Sequence, residues 1–281
     1  FLCEPLGHLR EAQRGEEIRV DLTEQTSRVE PLDPRLAELY MGGRGLGARL
    51  LYDELAPGID PLGPQNKLFF LTGPLVGTLA PSSGRYCVNT KSPLTGLYLF
   101  SICSGHLGAE LKKAGFDGLI VEGRAERPTY LLVTNDGAHF ADAGHLWGLD
   151  TLQTQEVLQQ ELARRGDAKL ACIGPAGERL ARIACIMSER RAAGRGGPGA
   201  VMGSKNLKAI AAVGRGQVTV HNLNAFMGSV REAWRRINET PFLRQALSRY
   251  GSCVSAGLVS ETGILPTRNW QSGVFEGAAG L

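Results

Sequence analysis

The chain has 281 residues, 43% hydrophobic and 21% charged, with 37 glycines, 6% aromatic residues and a formal net charge of +3. That balance supports a full apolar core and excludes a disordered chain. The intermixed acids and bases leave no basic stripe of the kind nucleic-acid binding requires. No stretch approaches the roughly 18 consecutive apolar residues of a membrane span, and the opening FLCEPLGHLREAQRGEE lacks the basic flank and long apolar run of a secretory leader. The expected location is cytoplasmic, with neither nucleic acid nor membrane as partner.

Residues 1–15 are pattern-poor and lack an initiating Met, so they are expected to be a trimmed or fragmentary start and stay outside the fold argument. EIRVDL and SRVEPL then read as strands, and Asp33 is placed to cap a helix carrying Leu36, Leu39 and Tyr40. A glycine-rich loop, GGRGLGA, comes next, followed by the strands KLFFLT and RYCVNT. SICSGHLGAE, Ser101 to Glu110, reads as a small-residue loop entering a helix near Gly108 to Ala114. GLIVEG and TYLLVT are strand-like, a helix starts at Asp150 or Thr151 and runs through Ala163, and KLACIG, ARIACIM and LKAIAAV complete the strands.

After Gly216 the pattern turns helical, with Phe226, Val230, Ala233, Trp234 and Ile237 at helical spacing and a continuation from Pro241 to Tyr250. Two domains are expected, a sheet-rich one over 16–216 and the start of a helical one over 217–281. Strands that outnumber helices without strict alternation predict an α+β fold.

The six cysteines, Cys3, Cys87, Cys103, Cys172, Cys185 and Cys253, are scattered and form no C-x-x-C pair, so free, mostly buried thiols are expected. Cys253 is expected to be a buried small residue.

Gly43, Gly45 and Ala48 match G-x-G-x-x-A, and Gly194, Gly196 and Gly199 match G-x-G-x-x-G. A dinucleotide site needs a strand before the glycines, a helix after them and an acid roughly 20 residues on. The first copy follows a helix-like segment, and no acid lies between Ala200 and Arg231 after the second. NAD-dependent chemistry is therefore the lesser alternative. The arginines beside these small residues carry more weight. Arg191 and Arg195 flank Gly194, and Arg85 follows Ser82 to Gly84. Main-chain N–H groups beside guanidinium forks form a phosphate cradle.

Long runs make the sequence recognisable: YMGGRGLGARLLYDE, DPLGPQNKLFFLTGPLVGTLAPSSGRYCVNTKSPLTG, GAELKKAGFDGLIVEGRAERPTYL, CIGPAGERLARIACIM, RAAGRGGPGAVMGSKNLKAIA and GILPTRNWQSGVFEGA. They closely resemble the aldehyde:ferredoxin oxidoreductase family, in this chain its amino-terminal domain and the start of its helical second domain. The resemblance implies a tungsten-pterin oxidoreductase in which two pyranopterins hold the metal, with molybdenum as the alternative metal. It implies aldehyde oxidation to carboxylic acid, with electrons passing through a 4Fe-4S cluster to ferredoxin or another electron-transfer subunit. A homo-oligomer is expected, of a size the sequence leaves open.

The resemblance also implies roles for residues. Arg85 would lie between the cluster and a pterin, and Arg191, Ala192, Gly194 and Arg195 would contact the pterins and their phosphates. Main-chain carbonyls of Ile102 and Ala192 would hold a magnesium ion joining those phosphates. Ile102, Cys103, Ser104 and Gly105 stand where the family has Asn-Ser-Gly-Gly, so the asparagine's side-chain hydrogen bonds are lost while a carbonyl remains. SERRAAG is also one residue shorter than usual.

The family's cluster cysteines follow the LPTRN region and its D-x-x-G-L-[CD] motif is absent, so the cluster ligands are expected outside this chain, in the remaining part or in a second chain. No catalytic residue is expected here. His106, His145 and Glu110 are expected to cap or pack rather than transfer protons. The alternative to an oxidoreductase chain is a non-catalytic homologue that binds pterin or acts as an interaction subunit.

Overall fold

The computed structural model describes residues 15–280. The chain divides into two compact units, one through His221 and one from Asn222. Cys3 lies outside the described residues.

The first unit holds twelve strands: β1 (Glu16–Asp21), β2 (Thr26–Pro31), β3 (Leu68–Leu71), β4 (Arg85–Lys91), β5 (Tyr98–Ser104), β6 (Gly118–Glu122), β7 (Thr129–Thr134), β8 (Gly137–Asp142), β9 (Lys169–Cys172), β10 (Ile186–Ser188), β11 (Arg191–Ala193) and β12 (Leu207–Ala212). They form two six-stranded sheets, ordered β2-β1-β6-β3-β4-β5 and β11-β10-β9-β12-β7-β8. The β1–β6 and β7–β12 pairs are parallel and the rest antiparallel, so both sheets are mixed. This is the α+β architecture the strand-rich sequence predicts.

Helices α1 (Pro34–Tyr40), α2 (Gly43–Glu54), α3 (Leu107–Ala114), α4 (Thr151–Leu162), α5 (Pro175–Glu178) and α6 (Pro198–Ser204) belong to this unit. One apolar core joins the facing sides of the sheets, with Val20, Phe70 and Val88 from the first and Leu131, Ala171 and Ile210 from the second. Leu107 and Leu111 of α3 and Val201 and Met202 of α6 fill the same core. Helix α2 covers the other face of the first sheet, laying Leu46, Leu50 and Leu51 on Phe69, Leu71 and Ile120. Helix α4 covers the far face of the second sheet with Leu158 and Leu162.

Strand β12 is buried along its length. Leu207 and Ile210 enter the central core while Ala209 and Ala211 face α4, because the register shifts between Leu207 and Ala209. Helix α2 reaches β4 only because residue 47 is glycine: a Cβ there would lie 2.3 Å from Asn89 Cγ.

Both predicted caps are present. Asp33 accepts from the Arg35 N–H. Asp150 accepts from the N–H groups of Leu152 and Gln153, and Gln153 returns a bond to the Asp150 N–H, closing a capping box. Asp150→Ala is expected to lower stability by about 1 kcal/mol, measured as a lower urea midpoint at unchanged slope.

Five elements differ from the sequence reading. Ser101 to Ser104 is not loop but the second half of β5, which pairs with β4 from Arg85↔Ser104 to Lys91↔Tyr98. Small serines suit it because Ser101 points into the core while its alternate neighbours, Phe100 and Ile102, face outward. GGRGLGA is the cap and first two turns of α2, whose Leu46, Leu50 and Leu51 form the apolar face that fixes it as helix. ARIACIM contributes only Ile186 and Met187 to β10, preceded by α5 with proline in its first turn and by a turn. Strands β8 and β11 carry no sequence signal, because GAHFAD and RAA lack a continuous apolar run.

The second unit contains α7 (Leu223–Glu239), a π-helical turn over Phe242–Leu247 and α8 (Ala256–Glu261). Asn222 caps α7 by accepting from the Ala225 N–H, and the predicted helix over 224–238 is thus extended by one residue at each end. Cys253 is exposed, contrary to expectation, because it sits in a 3-10 turn over Gly251–Ser255 that buries none of its residues. Cys87, Cys103 and Cys172 are free and buried, and Cys185 is free and half-buried. Among the described residues no helix is long and apolar enough to cross a membrane.

Candidate functional site

The edge strands of the two sheets, β5 and β11, lie side by side. An edge strand leaves main-chain groups unpaired on its outer side, so this seam offers carbonyls and N–H groups from both sheets. Ile102 lies on one edge and Ala192 on the other, and both are exposed. The Arg195 N–H donates to Ser101 Oγ at 3.1 Å, tying the chain beyond β11 to β5.

Pleating then sorts the side chains. Arg85, Cys87 and Asn89 on β4 share a face with their partners Ser104, Ile102 and Phe100 on β5. On that face lies a cavity of about 590 Å³, lined by residues including Tyr40 to Gly45, Gly73 to Val76, Pro81 to Ser83, Arg85, Cys87 and Ile102. Arg85 and Ile102 therefore meet in one concavity. Cys103 points the other way, into the core, where burial raises its thiol pKa and its Sγ approaches the Ser104 carbonyl at 3.2 Å. Its main chain alone remains at the seam. Burial also pushes the Cys87 thiol up to about 11, so it stays protonated near neutrality.

Four arginines gather around this region. The Arg44 guanidinium lies 4.9 Å from the Phe100 ring centre, and that of Arg195 lies 5.8 Å from it. The Tyr98 hydroxyl approaches the Arg44 carbonyl at 2.8 Å and holds the start of α2 against β5. Arg85 and Arg191 are exposed at the beginnings of β4 and β11. Among the described residues, none of these four arginines has a carboxylate partner. Cations assembled without counter-ions form an anion-binding surface, and the guanidinium fork suits phosphate oxygens.

The glycines divide by cause. Gly196 and Gly197 have φ values of +72° and +83°, and a Cβ at Gly197 would lie 2.0 Å from the Arg182 carbonyl oxygen, so the fold itself demands them. Gly73 and Gly194 have ordinary φ; a Cβ at Gly73 would meet nothing within 4 Å, and one at Gly194 only Ala192 and Cys185 at 3.9 and 4.0 Å. Their missing side chains leave accessible backbone beside the arginines, which suits a bulky anionic group approaching closely.

The remaining singled-out residues have local partners. His145 Nε2 lies 2.7 Å from Glu161. Glu110, in the first turn of α3, binds Lys113 at 2.6 Å and accepts from the Gly214 N–H. His106 Nδ1 lies 2.6 Å from Glu189 Oε1, which bridges the turn after β5 to the β10–β11 hairpin. Among the described residues, no group of three or more His, Cys, Asp or Glu side chains is arranged to hold a metal ion. Neither glycine fingerprint has dinucleotide geometry: α2 follows helix α1, and the second fingerprint leads into α6, which spans only Pro198–Ser204.

Sequence reasoning singled out Arg85, Ile102, Cys103, Ser104, Gly105, Arg191, Ala192, Gly194 and Arg195; the fold brings them along the seam and its adjoining face, except the Cys103 side chain, which the pleat of β5 buries in the core. It missed Arg44 and Phe100. Only the alternation of β5, once recognised as a strand, could have placed Phe100 beside Ile102.

Comparison with known proteins identifies the family. Residues 17–214 match the family described as aldehyde ferredoxin oxidoreductase, N-terminal domain. The tungsten-containing aldehyde ferredoxin oxidoreductase of Pyrococcus furiosus is 45% identical over 93% of this chain, and that of Thermococcus kodakarensis is 45% identical over 94%. The chain spans 43% and 44% of the length of those two relatives. A solved structure of the active site complex BamBC of benzoyl coenzyme A reductase with 1,5-dienoyl-CoA superposes at a TM-score of 0.79 with 38% identity, covering 81% of this chain and 35% of that one. The chain belongs to the aldehyde ferredoxin oxidoreductase family and carries that family's N-terminal domain.

Proposed function

We propose that this chain is the pterin-binding base of a tungsten bis-pyranopterin oxidoreductase that converts aldehydes to carboxylic acids and passes electrons through a 4Fe-4S cluster to ferredoxin. The observation that carries the reading is the set of arginines without counter-ions, Arg44, Arg85, Arg191 and Arg195, around a seam of exposed backbone. When bound, the metal and its dithiolenes supply the redox chemistry, while the protein supplies position and electrostatics.

In this reading Arg191 and Arg195 offset phosphate charge, and Phe100 holds the Arg44 and Arg195 guanidiniums against free rotation. Main-chain carbonyls of Ile102 and Ala192, one from each edge strand, are the magnesium ligands, and Ser104 and Gly105 continue that surface. Arg85, at the mouth of the cavity, favours added negative charge on the groups beside it. None of these residues moves a proton. The cluster ligands and the acid–base groups lie in the remainder of the enzyme or in a second chain, and ferredoxin or another electron-transfer subunit accepts the electrons. Tungsten is the expected metal because the curated relatives are named as tungsten-containing.

The substrate pocket belongs to the rest of the enzyme, since relatives named for an aldehyde oxidoreductase and for a benzoyl coenzyme A reductase share this domain. The full-length protein purified from its native host is expected to hold tungsten with pterin and to reduce viologen dye when given an aldehyde. Neither NAD nor NADP should raise its melting temperature. Protein free of tungsten and molybdenum, or a saturable thermal shift with either nucleotide, would remove this reading.

A further inference from the structure

Glu189 is the first residue of the two-residue loop joining β10 to β11, whose flanking pair is Ser188↔Arg191. Its φ is +54°, in the left-handed region. Tight hairpins that require this conformation favour glycine or asparagine, and a glutamate there is disfavoured by the contact of its Cβ with the backbone. The sequence nonetheless places a long acidic side chain at this turn. Its carboxylate accounts for it: Glu189 Oε1 lies 2.6 Å from His106 Nδ1 and accepts from the His106 N–H at 3.3 Å. The Glu189 carbonyl also accepts from Gln155 Nε2 of α4 at 3.3 Å.

The bond crosses between the sheets at the seam described above. His106 ends the turn that follows Ser104 and Gly105, and Glu189 opens the hairpin that leads into Arg191 and Ala192. Gly105 lies against the same hairpin at φ +122°, where a Cβ would stand 3.4 Å from Ser188 Oγ. Stability does not explain the arrangement. The two side chains are 66% and 35% exposed, and exposed pairs contribute little net stability, whereas the left-handed backbone opposes it.

We infer that Glu189 is a positioning residue: its carboxylate clasps the turn at His106 and thereby fixes the spacing between the edge strands that carry Ile102 and Ala192. The inference rests on the bis-pterin reading only for its consequence, since the clasp and its effect on the strands belong to this chain alone.

Glu189→Gly separates positioning from stability, because glycine relieves the backbone while removing the clasp. In this variant the thermal midpoint is expected to stay level or rise by a few degrees, while hydrogen exchange at the Arg195 amide, whose bond to Ser101 Oγ crosses the seam, accelerates about tenfold. Glu189→Gln keeps an acceptor for the His106 N–H and should stay within about twofold of the parent rates. In the full-length enzyme, tungsten and pterin per chain should fall severalfold in Glu189→Gly and recover largely in Glu189→Gln.

Unchanged exchange at the Arg195 amide in Glu189→Gly overturns the inference. A lowered midpoint with exchange accelerated across both sheets also overturns it, by making Glu189 an ordinary structural residue. Absence of tungsten and pterin from the parent enzyme would remove the bis-pterin reading and leave the exchange result to judge the clasp by itself.

Discussion

Arg85→Ala or Arg195→Ala in the full-length enzyme is expected to lower tungsten and pterin content on purification severalfold, whereas Arg164→Ala, on an exposed turn after α4, leaves it unchanged. Each guanidinium stands at the seam without a carboxylate partner, so an anionic cofactor would be its counter-charge. On the bis-pterin reading, removing one would leave phosphate or dithiolene charge less well compensated, a loss of about 2 to 5 kcal/mol. Lysine at either position should restore only part of the content, because a point charge lacks the bidentate fork. At Arg195 it also loses the planar contact with Phe100. Metal analysis and pterin fluorescence of the purified variants check this. Full occupancy in both alanine variants would make these segments ordinary turns and edges.

A large effect on stability is expected at Lys205. Its side chain is fully buried, and its Nζ lies 3.3, 2.5 and 2.9 Å from the carbonyls of Pro64, Asn66 and Gly123, donating to all three when charged and to two when neutral. These carbonyls belong to segments flanking β3 and β6 of the first sheet, while Lys205 directly follows α6 and precedes β12 of the second. One amine thus ties the sheets together at the end of the central core. Lys205→Met leaves buried acceptors without a donor and is expected to cost about 3 kcal/mol or more, read from urea unfolding.

The sign of its pH dependence follows from the shift. Burial pulls the Lys205 ammonium from its ordinary value of 10.5 down to about 7. Between those values the unfolded chain holds the proton that the folded chain has released, so the folded state gains stability as pH rises from about 7 toward 10.5. The gap between the parent and Lys205→Met should therefore widen over that window, by at most about 1.4 kcal/mol per pH unit. A gap independent of pH would show that the carbonyl cage keeps the ammonium charged throughout.

The sequence by itself determined the α+β class, the capped helices at Asp33 and Asp150 and most strands, because caps and dense apolar runs such as KLFFLT and GLIVEG are local signals. It also determined the family, since long glycine- and arginine-bearing runs record many backbone constraints at once. Only the tertiary structure decided that Ser101 to Ser104 is an edge strand: SICS carries no local strand signal, and its pairing with β4 supplies one. That pairing turns Cys103 into the core and Ile102 toward the cavity, a choice set by the pleat rather than by composition. Likewise Arg195 joins Arg44 and Arg85 only because two sheet edges meet. Phe100 joins Arg44 and Arg195 across separations that no local pattern records, because packing of both sheets onto the shared core of α3 and α6 brings those edges together.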